Sequence, residues 1–290
     1  MTQRASPPLP WKTRLYIALL SAVTDGVRRS DGTINRCLLS FFDARSSASA
    51  KPRRGVRTAD VSVDPSRDLW FRLFVPSSAS SGRIPVIVYF HGGGFAYLSP
   101  ASRAYDAFCR RICREINALV VSVNYRLAPE HRYPAPYEDA VDVLRFLNDG
   151  GLASADATAA GLADLSRCFL AGDSAGGNMV HHVARRWAAD APGGWKNLRL
   201  AGMVLIQPFF GGEERTSRRC GWRGRRWCRW SGRTGCGGCS CRRGRAGTTR
   251  RRTCSGRGLM ASWRRRCRRR WWSWGASTHF RTGSGGTTRG

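Results

Sequence analysis

The sequence predicts an α/β fold with a mostly parallel sheet and helices on both of its faces. Two observations carry this prediction. Short runs of mainly apolar residues alternate along the chain with longer segments whose apolar residues recur at helical spacing. The short runs also lack the regular alternation of apolar and polar residues, which is typical of strands buried on both faces. Regular alternation of such strands with helices favours parallel strands joined by helical crossovers.

The first elements are helical. Leu15, Leu19 and Val23 recur every four residues, so residues 12–44 are predicted to form helices that pack on a body or cover a site as a cap. A loop rich in Ser, Ala and Arg follows over residues 45–57.

Strands and helices then alternate. The opening pair of strands is predicted to be antiparallel, and the third strand is apolar enough to lie at the centre of the sheet. The helix after the fourth strand carries an apolar stripe at positions 140, 143, 144 and 147. The predicted strands are Val61–Val63, Leu69–Val75, Ile84–Phe90, Ala118–Asn124, Cys168–Ala171 and Ala201–Gln207, and the helices are Ala104–Glu115, Tyr137–Asn148 and Asn178–Ala189.

Two glycine-rich motifs each follow an apolar run. Residues 91–95 read His-Gly-Gly-Gly-Phe, and residues 172–176 read Gly-Asp-Ser-Ala-Gly. The second is a G-x-S-x-G nucleophile elbow, and the first is the glycine loop that accompanies it in lipases and esterases. Alone, the first could be a plain glycine turn and the second an ordinary helix start. In this order they predict a serine ester hydrolase with an α/β-hydrolase fold.

Ser174 is the predicted nucleophile. The elbow places this serine on a strained turn between a strand and a helix, and the small residues Gly172 and Gly176 make that turn sterically possible. Ala175, directly after the serine, has a backbone N–H that would face the reacting carbonyl.

The glycine loop is predicted to hold the oxyanion. The N–H groups of Gly92, Gly93 and Gly94, together with that of the residue after the nucleophile, can approach a ligand without side chains in the way. His91 is interpreted as a residue that orients this loop. Asp173 could fix the elbow by hydrogen bonds or could be a solvated carboxylate.

The general base and its acidic partner should follow the nucleophile in chain order. Only His181, His182 and His279 do so, and no acidic residue lies beyond Glu214. The first two are adjacent on the predicted helix after the elbow, which makes them packing or surface residues. No triad Asp or His is therefore identifiable, and no metal site is predicted.

The composition changes near Thr216. Residues 217–290 hold 22 Arg and no Lys, Asp or Glu, and Leu259 and Met260 are their only large aliphatic residues. Such a segment cannot build a normal core, because aliphatic burial is the main driving force of folding. Arg, Gly, Trp and Cys make up 51 of these 74 residues, and all codons of these four have G in the middle position. This bias favours a G+C-rich gene read out of frame.

Two other interpretations of residues 217–290 stay open. An arginine-rich arm could bind RNA, since arginine and aromatic side chains suit phosphates and stacked bases. Cys236, Cys239 and Cys241 could belong to a metal or disulfide segment, although no second cysteine or histidine pair stands at zinc-finger distance.

Four motifs carry a resemblance to a known family: HGGGF at 91–95, NYRLAPE at 124–130, PAPYED at 134–139 and GDSAGGN at 172–178. Over about residues 10–216 the chain resembles hormone-sensitive-lipase-like carboxylesterases, most closely the plant carboxylesterases related to gibberellin receptors. The resemblance implies an α/β-hydrolase fold with an N-terminal cap, ester hydrolysis through Ser174, and oxyanion donors at Gly92, Gly93 and Ala175. The family's catalytic Asp loop and its later His are absent from this sequence.

The sequence predicts a division of the chain into three parts. Residues 1–50 are predicted to form the cap helices and a loop, and residues 51–216 are predicted to form a hydrolase core that is incomplete at its C-terminal end. Residues 217–290 are predicted to be a disordered tail that is read out of frame. The protein is a carboxylesterase-type enzyme for small esters, impaired because the triad Asp and His are missing; a non-catalytic receptor for a small molecule is the alternative. No cofactor, nucleic-acid partner, membrane segment or signal peptide is expected. Four cysteines without pairing spacing in residues 1–216 favour the reducing cytoplasm, with the nucleus left open.

Overall fold

A six-stranded sheet forms the centre of the computed structural model, which describes residues 10–78, 82–190 and 194–211. The strands lie in the order β1-β2-β4-β3-β5-β6. β2 pairs antiparallel with β1 and β4, and the other three pairings are parallel. The predicted mostly parallel α/β sheet is therefore confirmed. The strands are β1 (Val56–Asp64), β2 (Leu69–Pro76), β3 (Ile84–Phe90), β4 (Leu119–Asn124), β5 (Ala163–Asp173) and β6 (Leu200–Ile206).

Helices cover both faces of the sheet. The larger core cluster joins one face to α4 and α7, and a smaller one joins the opposite face to α3. The helices are α1 (Trp11–Gly26), α2 (Arg36–Phe42), α3 (Arg103–Ile116), α4 (Ala135–Asn148), α5 (Gly151–Ala155), α6 (Ala157–Leu162) and α7 (Ala175–Ala189).

Some element boundaries were predicted wrongly. β1 begins at Val56 rather than at Val61, because it pairs with β2 along its whole length. Its first residues are mostly polar, so the sequence shows no apolar run that would mark them as a strand. β5 begins at Ala163 rather than at Cys168, because Ala163 and Asp164 already pair with the first two residues of β3. The short helices α5 and α6 were not predicted, since five or six residues are too few to show helical periodicity.

A buried ionic network ties the outer strands to α3. The side chain of Arg72 on β2 is 2% exposed and donates to both carboxylate oxygens of Asp60, at 2.7 and 2.8 Å. It also donates to Asp106, which accepts from Arg110 on the next turn of α3. Buried charges are tolerated only when they are paired and hydrogen-bonded in this way.

The helices predicted for residues 12–44 are present as α1 and α2. The Arg36 guanidinium, in the first turn of α2, donates to the carbonyl groups of Ala96 and Ala128 and forms an ion pair with Glu130. α2 is thus joined to the loops that carry the HGGGF and NYRLAPE motifs. Whether these helices act as a cap stays a prediction.

The predicted domain boundaries also stay predictions. The boundary at residues 216 and 217, the tail 217–290 and His279 lie outside the described residues. In the part of the chain that the structure describes, no helix has the length and apolar character needed to cross a membrane. The same part contains no cluster of three or more His, Cys, Asp or Glu side chains suited to a metal ion.

Candidate active site

Ser174 lies on a strained turn between β5 and α7. Its backbone angles are φ 51° and ψ −113°, a conformation that non-glycine residues rarely adopt. Two backbone hydrogen bonds fix the turn: the Ser174 N–H donates to the Ile206 carbonyl at 3.0 Å, and the Phe209 N–H donates to the Ser174 carbonyl at 2.8 Å. The hydroxyl makes no hydrogen bond to any described residue and is half-buried.

The two glycines of the elbow are required by close backbone contacts. A Cβ atom at Gly172 would lie 2.6 Å from the Gly176 backbone, and one at Gly176 would overlap the Phe90 carbonyl oxygen at the end of β3. Since these neighbours are backbone atoms, no change of rotamer could relieve the contact. The reason given from the sequence for glycine at both positions therefore agrees with the geometry.

The Asp173 carboxylate joins the elbow to the glycine loop. It accepts hydrogen bonds from the Tyr89 hydroxyl at 2.8 Å, the Tyr105 hydroxyl at 2.9 Å and the Gly92 N–H at 2.9 Å. The same N–H also lies 2.8 Å from the Tyr105 hydroxyl oxygen. Of the two interpretations left open for Asp173, the structure shows the hydrogen-bonding one. Burial, followed by the charge of this carboxylate, raises the pKa of both phenols.

The same bonds bear on the predicted oxyanion donors. The Gly92 N–H is already engaged with Asp173 and Tyr105, which argues against its assignment as a donor and places it among the supporting residues. The N–H groups of Gly93, Gly94 and Ala175 make no hydrogen bond within the described ranges. Gly93 adopts a φ of 108°, where a Cβ would overlap the Tyr97 carbonyl oxygen, so only glycine fits there.

His91 supports the glycine loop. Its ring is fully buried and stacks on Tyr125 with ring centroids 4.4 Å apart. Its Nδ1 lies 2.8 Å from the Gly92 carbonyl oxygen, which can only accept, so Nδ1 carries the proton. Burial lowers the pKa of His91 to about 4, which keeps the ring neutral at pH 7. These contacts match the orienting part expected of this residue.

The histidines of α7 are poorly placed to activate Ser174. His181 and His182 lie about two helical turns beyond it, roughly 11 Å along the axis. Their rings contact Phe210 and, for His182, Tyr137. Burial and then the neighbouring imidazole and arginine cations lower the pKa of His182 to about 4. A general base must come within hydrogen-bond reach of the proton it takes, and neither ring meets this condition.

Residues of the other motifs hold the site together. Asn178 on α7 accepts from the Tyr137 hydroxyl at 2.8 Å and donates to the Phe209 carbonyl at 2.9 Å. The fully buried carboxylate of Asp139 accepts from the backbone and guanidinium of Arg126 at 2.8 to 3.0 Å. The NYRLAPE and PAPYED motifs are thus joined by the ion pair between Arg126 and Asp139.

Sequence reasoning missed these supporting residues, together with Tyr89 and Tyr105. Asn178, Tyr137, Arg126 and Asp139 stand inside motifs that were recognised, so the motif letters were a usable signal. The two tyrosines that bind Asp173 lie on β3 and α3 with no local pattern that sets them apart.

Comparisons with known proteins agree with this architecture. A family model described as the alpha/beta hydrolase fold matches residues 87–230. A gibberellin receptor of Arabidopsis thaliana is 39% identical over 221 residues, covering 72% of this chain and 61% of the receptor. Carboxylesterase 20 of the same plant is 39% identical over 196 residues, covering 66% of this chain and 58% of the esterase. The chain therefore spans about six tenths of the length of these two relatives.

A solved structure shares the fold. An ester hydrolase from the metagenome of Lake Arreo, solved with a derivative of bipyridine phosphonate, superposes with a TM-score of 0.54 at 28% identity. The match covers 74% of this chain and 64% of that one.

Proposed function

Because this chain belongs to the α/β-hydrolase family, among the hormone-sensitive-lipase-like plant carboxylesterases and gibberellin receptors, we propose that it is a carboxylic ester hydrolase by family with Ser174 as its nucleophile. The observation that supports this most directly is the strained turn at Ser174, whose neighbour Asp173 is hydrogen-bonded to the glycine loop. Three backbone N–H groups of this loop and of the elbow bind nothing else among the described residues.

The proposed reaction is acyl transfer through Ser174. The hydroxyl oxygen attacks the ester carbonyl while a base takes its proton, and the carbonyl oxygen becomes an anion. The N–H groups of Gly93, Gly94 and Ala175 are proposed to bind that anion. Each such donor stabilises the transition state by about 3 kcal/mol. The alcohol then leaves, and water attacks the acyl-serine to release the acid. None of these steps calls for a cofactor.

Turnover is proposed to be impaired, because the described residues offer no base for Ser174. His91 is buried and bonded to the glycine loop, and the α7 histidines are too far along the helix. In enzymes of this kind, the oxyanion hole and substrate binding alone leave about 10³- to 10⁴-fold acceleration over water when members of the triad are removed. A slow reaction is therefore expected, and its residual rate comes from the oxyanion hole and substrate binding rather than from Ser174.

Chemical rescue tests the nucleophile and the missing base together. The full chain would be assayed with p-nitrophenyl acetate at increasing imidazole, beside Ser174→Ala and a buffer blank. After subtraction of the blank at each imidazole concentration, imidazole should raise hydrolysis by the wild-type chain and leave the residual rate of Ser174→Ala unchanged. Equal rates for the two chains at every imidazole concentration would reject Ser174 as the nucleophile. Fast turnover without imidazole that is lost in Ser174→Ala would reject the impairment alone.

A non-catalytic receptor is the second candidate. It is favoured by the similarity to a gibberellin receptor and by the lack of a base near Ser174 among the described residues. The two candidates differ in their dependence on the hydroxyl. A receptor would bind a small molecule with the same affinity in the wild type and in Ser174→Ala, and imidazole would not induce hydrolysis.

The substrate class and location are also proposals. We propose small carboxylic esters as substrates on the strength of the esterase relatives. We propose the cytoplasm as the location, because Cys37, Cys109, Cys113 and Cys168 are all free thiols, as expected in a reducing compartment. Imaging of a fluorescent fusion would test the location.

A further inference from the structure

Arg36, in the first turn of α2, connects the N-terminal helices to the loop that carries the glycine motif. Its Nη1 donates to the Ala96 carbonyl, and its Nη2 donates to the Ala128 carbonyl at 2.7 Å. Its Nε and Nη2 also donate to the two carboxylate oxygens of Glu130, at 3.1 and 2.6 Å. A guanidinium group can bind several acceptors in this way because its donors form a rigid planar fork.

The two carbonyl groups belong to residues that also fix the turn after Gly93. The Ala96 N–H donates to the Gly93 carbonyl at 3.1 Å, and the Tyr97 N–H donates to the same oxygen at 3.0 Å. The Ala128 N–H donates to the Phe95 carbonyl at 2.8 Å. The guanidinium therefore binds the carbonyl groups of two residues whose N–H groups bind the turn.

The turn needs outside support because its backbone is strained. Phe95 adopts a φ of 63°, in the left-handed region that bulky residues avoid. Conformations of this kind cost roughly 1 to 3 kcal/mol and persist only where the surrounding structure fixes them. Gly93 and Gly94, directly before Phe95, carry two of the N–H groups proposed to bind the oxyanion. Relaxation of the turn would therefore move these two donors.

Apolar contacts join the same two parts of the chain. Ala96 forms a small buried cluster with Val27 and Ile34, which lie between α1 and α2. Leu39 and Tyr97 pack against this cluster. The N-terminal segment thus contacts the turn both by hydrogen bonds and by packing.

We propose that Arg36 is a positioning residue for ester hydrolysis, which keeps the N–H groups of Gly93 and Gly94 in the orientation that binds the oxyanion. It acts through the backbone of Ala96 and Ala128 rather than by contact with the ester. This role rests on the function proposed above and extends it, since the α1–α2 segment then contributes to the active site.

Three variants separate this role from the mere loss of an ion pair. Arg36→Gln removes the guanidinium, whereas Glu130→Gln removes the ion pair and leaves both carbonyl groups bound. Arg57→Gln is the matched control, because Arg57 and Asp156 form an ion pair of the same length, 2.6 Å, between β1 and the start of α6.

Two readouts on the full chain test the proposal. Hydrogen–deuterium exchange of peptides containing the Ala96, Tyr97 and Ala128 amides reports whether the turn is held. In Arg36→Gln these amides should exchange about tenfold faster, because the charged donor to their carbonyl groups is gone. Glu130→Gln should show a smaller increase, and the matched control should show none.

The second readout is hydrolysis of p-nitrophenyl acetate with imidazole as the external base, corrected for the blank and for Ser174→Ala. Removal of one oxyanion donor lowers kcat by about 10²- to 10³-fold, so misplaced donors in Arg36→Gln should lower kcat by at least about tenfold. KM should stay nearly unchanged, because the donors act on the transition state rather than on the bound ester. Arg57→Gln should keep both values of the wild type.

Two results would overturn the proposal. One is equal exchange of these amides in Arg36→Gln and in the wild type, because the turn would then be held without the guanidinium. The other is faster exchange with an unchanged Ser174-dependent kcat, because the turn would then not place the donors. Faster exchange in Arg36→Gln without any Ser174-dependent hydrolysis by the wild type would instead reject the proposed function and support the hold of Arg36 on the turn.

Far-ultraviolet circular dichroism shows whether each variant is folded. Arg36→Lys replaces Arg36→Gln if the latter does not fold, since lysine keeps the charge but offers one nitrogen in place of three. The same two readouts and the same outcomes then apply to Arg36→Lys.

Discussion

The buried imidazole of His91 should make the stability of this fold depend on pH between about 7 and 4. Burial lowers the pKa of His91 from 6.5 to about 4 in the folded chain. In the unfolded chain the ring is solvated and takes up a proton as the pH falls below about 6.5. The unfolded state therefore binds more protons than the folded state in this window, and stability falls with the pH.

The size of this effect follows from the two pKa values. One pKa unit corresponds to about 1.4 kcal/mol, so the full difference limits the loss to about 3 kcal/mol at pH values below 4. Between pH 7 and pH 5 the same linkage predicts a loss of about 2 kcal/mol from His91 alone. This is a large share of the stability of a typical domain, about 5 to 15 kcal/mol.

Urea unfolding of the wild type and of His91→Asn at pH 7, 6 and 5 would measure it. Asparagine does not titrate, and its Nδ2 can replace Nδ1 as the donor to the Gly92 carbonyl. His91→Asn should lose about 2 kcal/mol less than the wild type between pH 7 and pH 5. His131→Asn, which removes an exposed imidazole, is the matched control. Equal losses in the wild type and in His91→Asn would refute the reasoning.

Three further predictions concern stability and can be measured by urea unfolding at pH 7. Gly176→Ala should lower the free energy of unfolding by at least about 3 kcal/mol, because the new Cβ would overlap the Phe90 carbonyl oxygen. Gly161→Ala on α6 has open space around the new methyl, so it should leave the free energy of unfolding unchanged or raise it by up to about 1 kcal/mol. Asp173→Asn should lower the free energy of unfolding by about 2 kcal/mol, because an amide NH2 replaces an oxygen that accepts a hydrogen bond. An unchanged free energy of unfolding would mean that the hydrogen bonds to this carboxylate contribute little to stability. Asp139→Ala should lower the free energy of unfolding by about 3 kcal/mol, because it leaves the Arg126 guanidinium with only the Glu138 carboxylate, 3.8 Å away; a loss below 1 kcal/mol would mean that the buried pair contributes little.

The elbow shows how much local sequence can determine. A serine flanked by glycines two residues away on each side, placed between an apolar run and a helical segment, specifies a tight turn from strand to helix. The structure has Ser174 at φ 51° on that turn, with glycine at the two positions where a Cβ would meet backbone. This part of the site was predictable because sterics within a few residues decide it.

The partners of Asp173 were not predictable in the same way. Its carboxylate meets Tyr89 from β3, Tyr105 from α3 and the Gly92 N–H from the loop after β3. These groups lie 68 to 84 residues away along the chain. Their meeting depends on strand order and on the packing of α3, so the sequence left Asp173 with two interpretations and Gly92 assigned as an oxyanion donor.

The sequence by itself determined the fold class, the succession of strands and helices and the position of Ser174, because periodicity and turn sterics act over short stretches of chain. Only the tertiary structure decided which N–H groups of the glycine loop and the elbow stay unengaged, how Arg72 is neutralised and which strand ends the described sheet. These are long-range questions of hydrogen-bond partners and burial. A residue's neighbours in space, rather than its neighbours in the chain, determine what its polar groups bind.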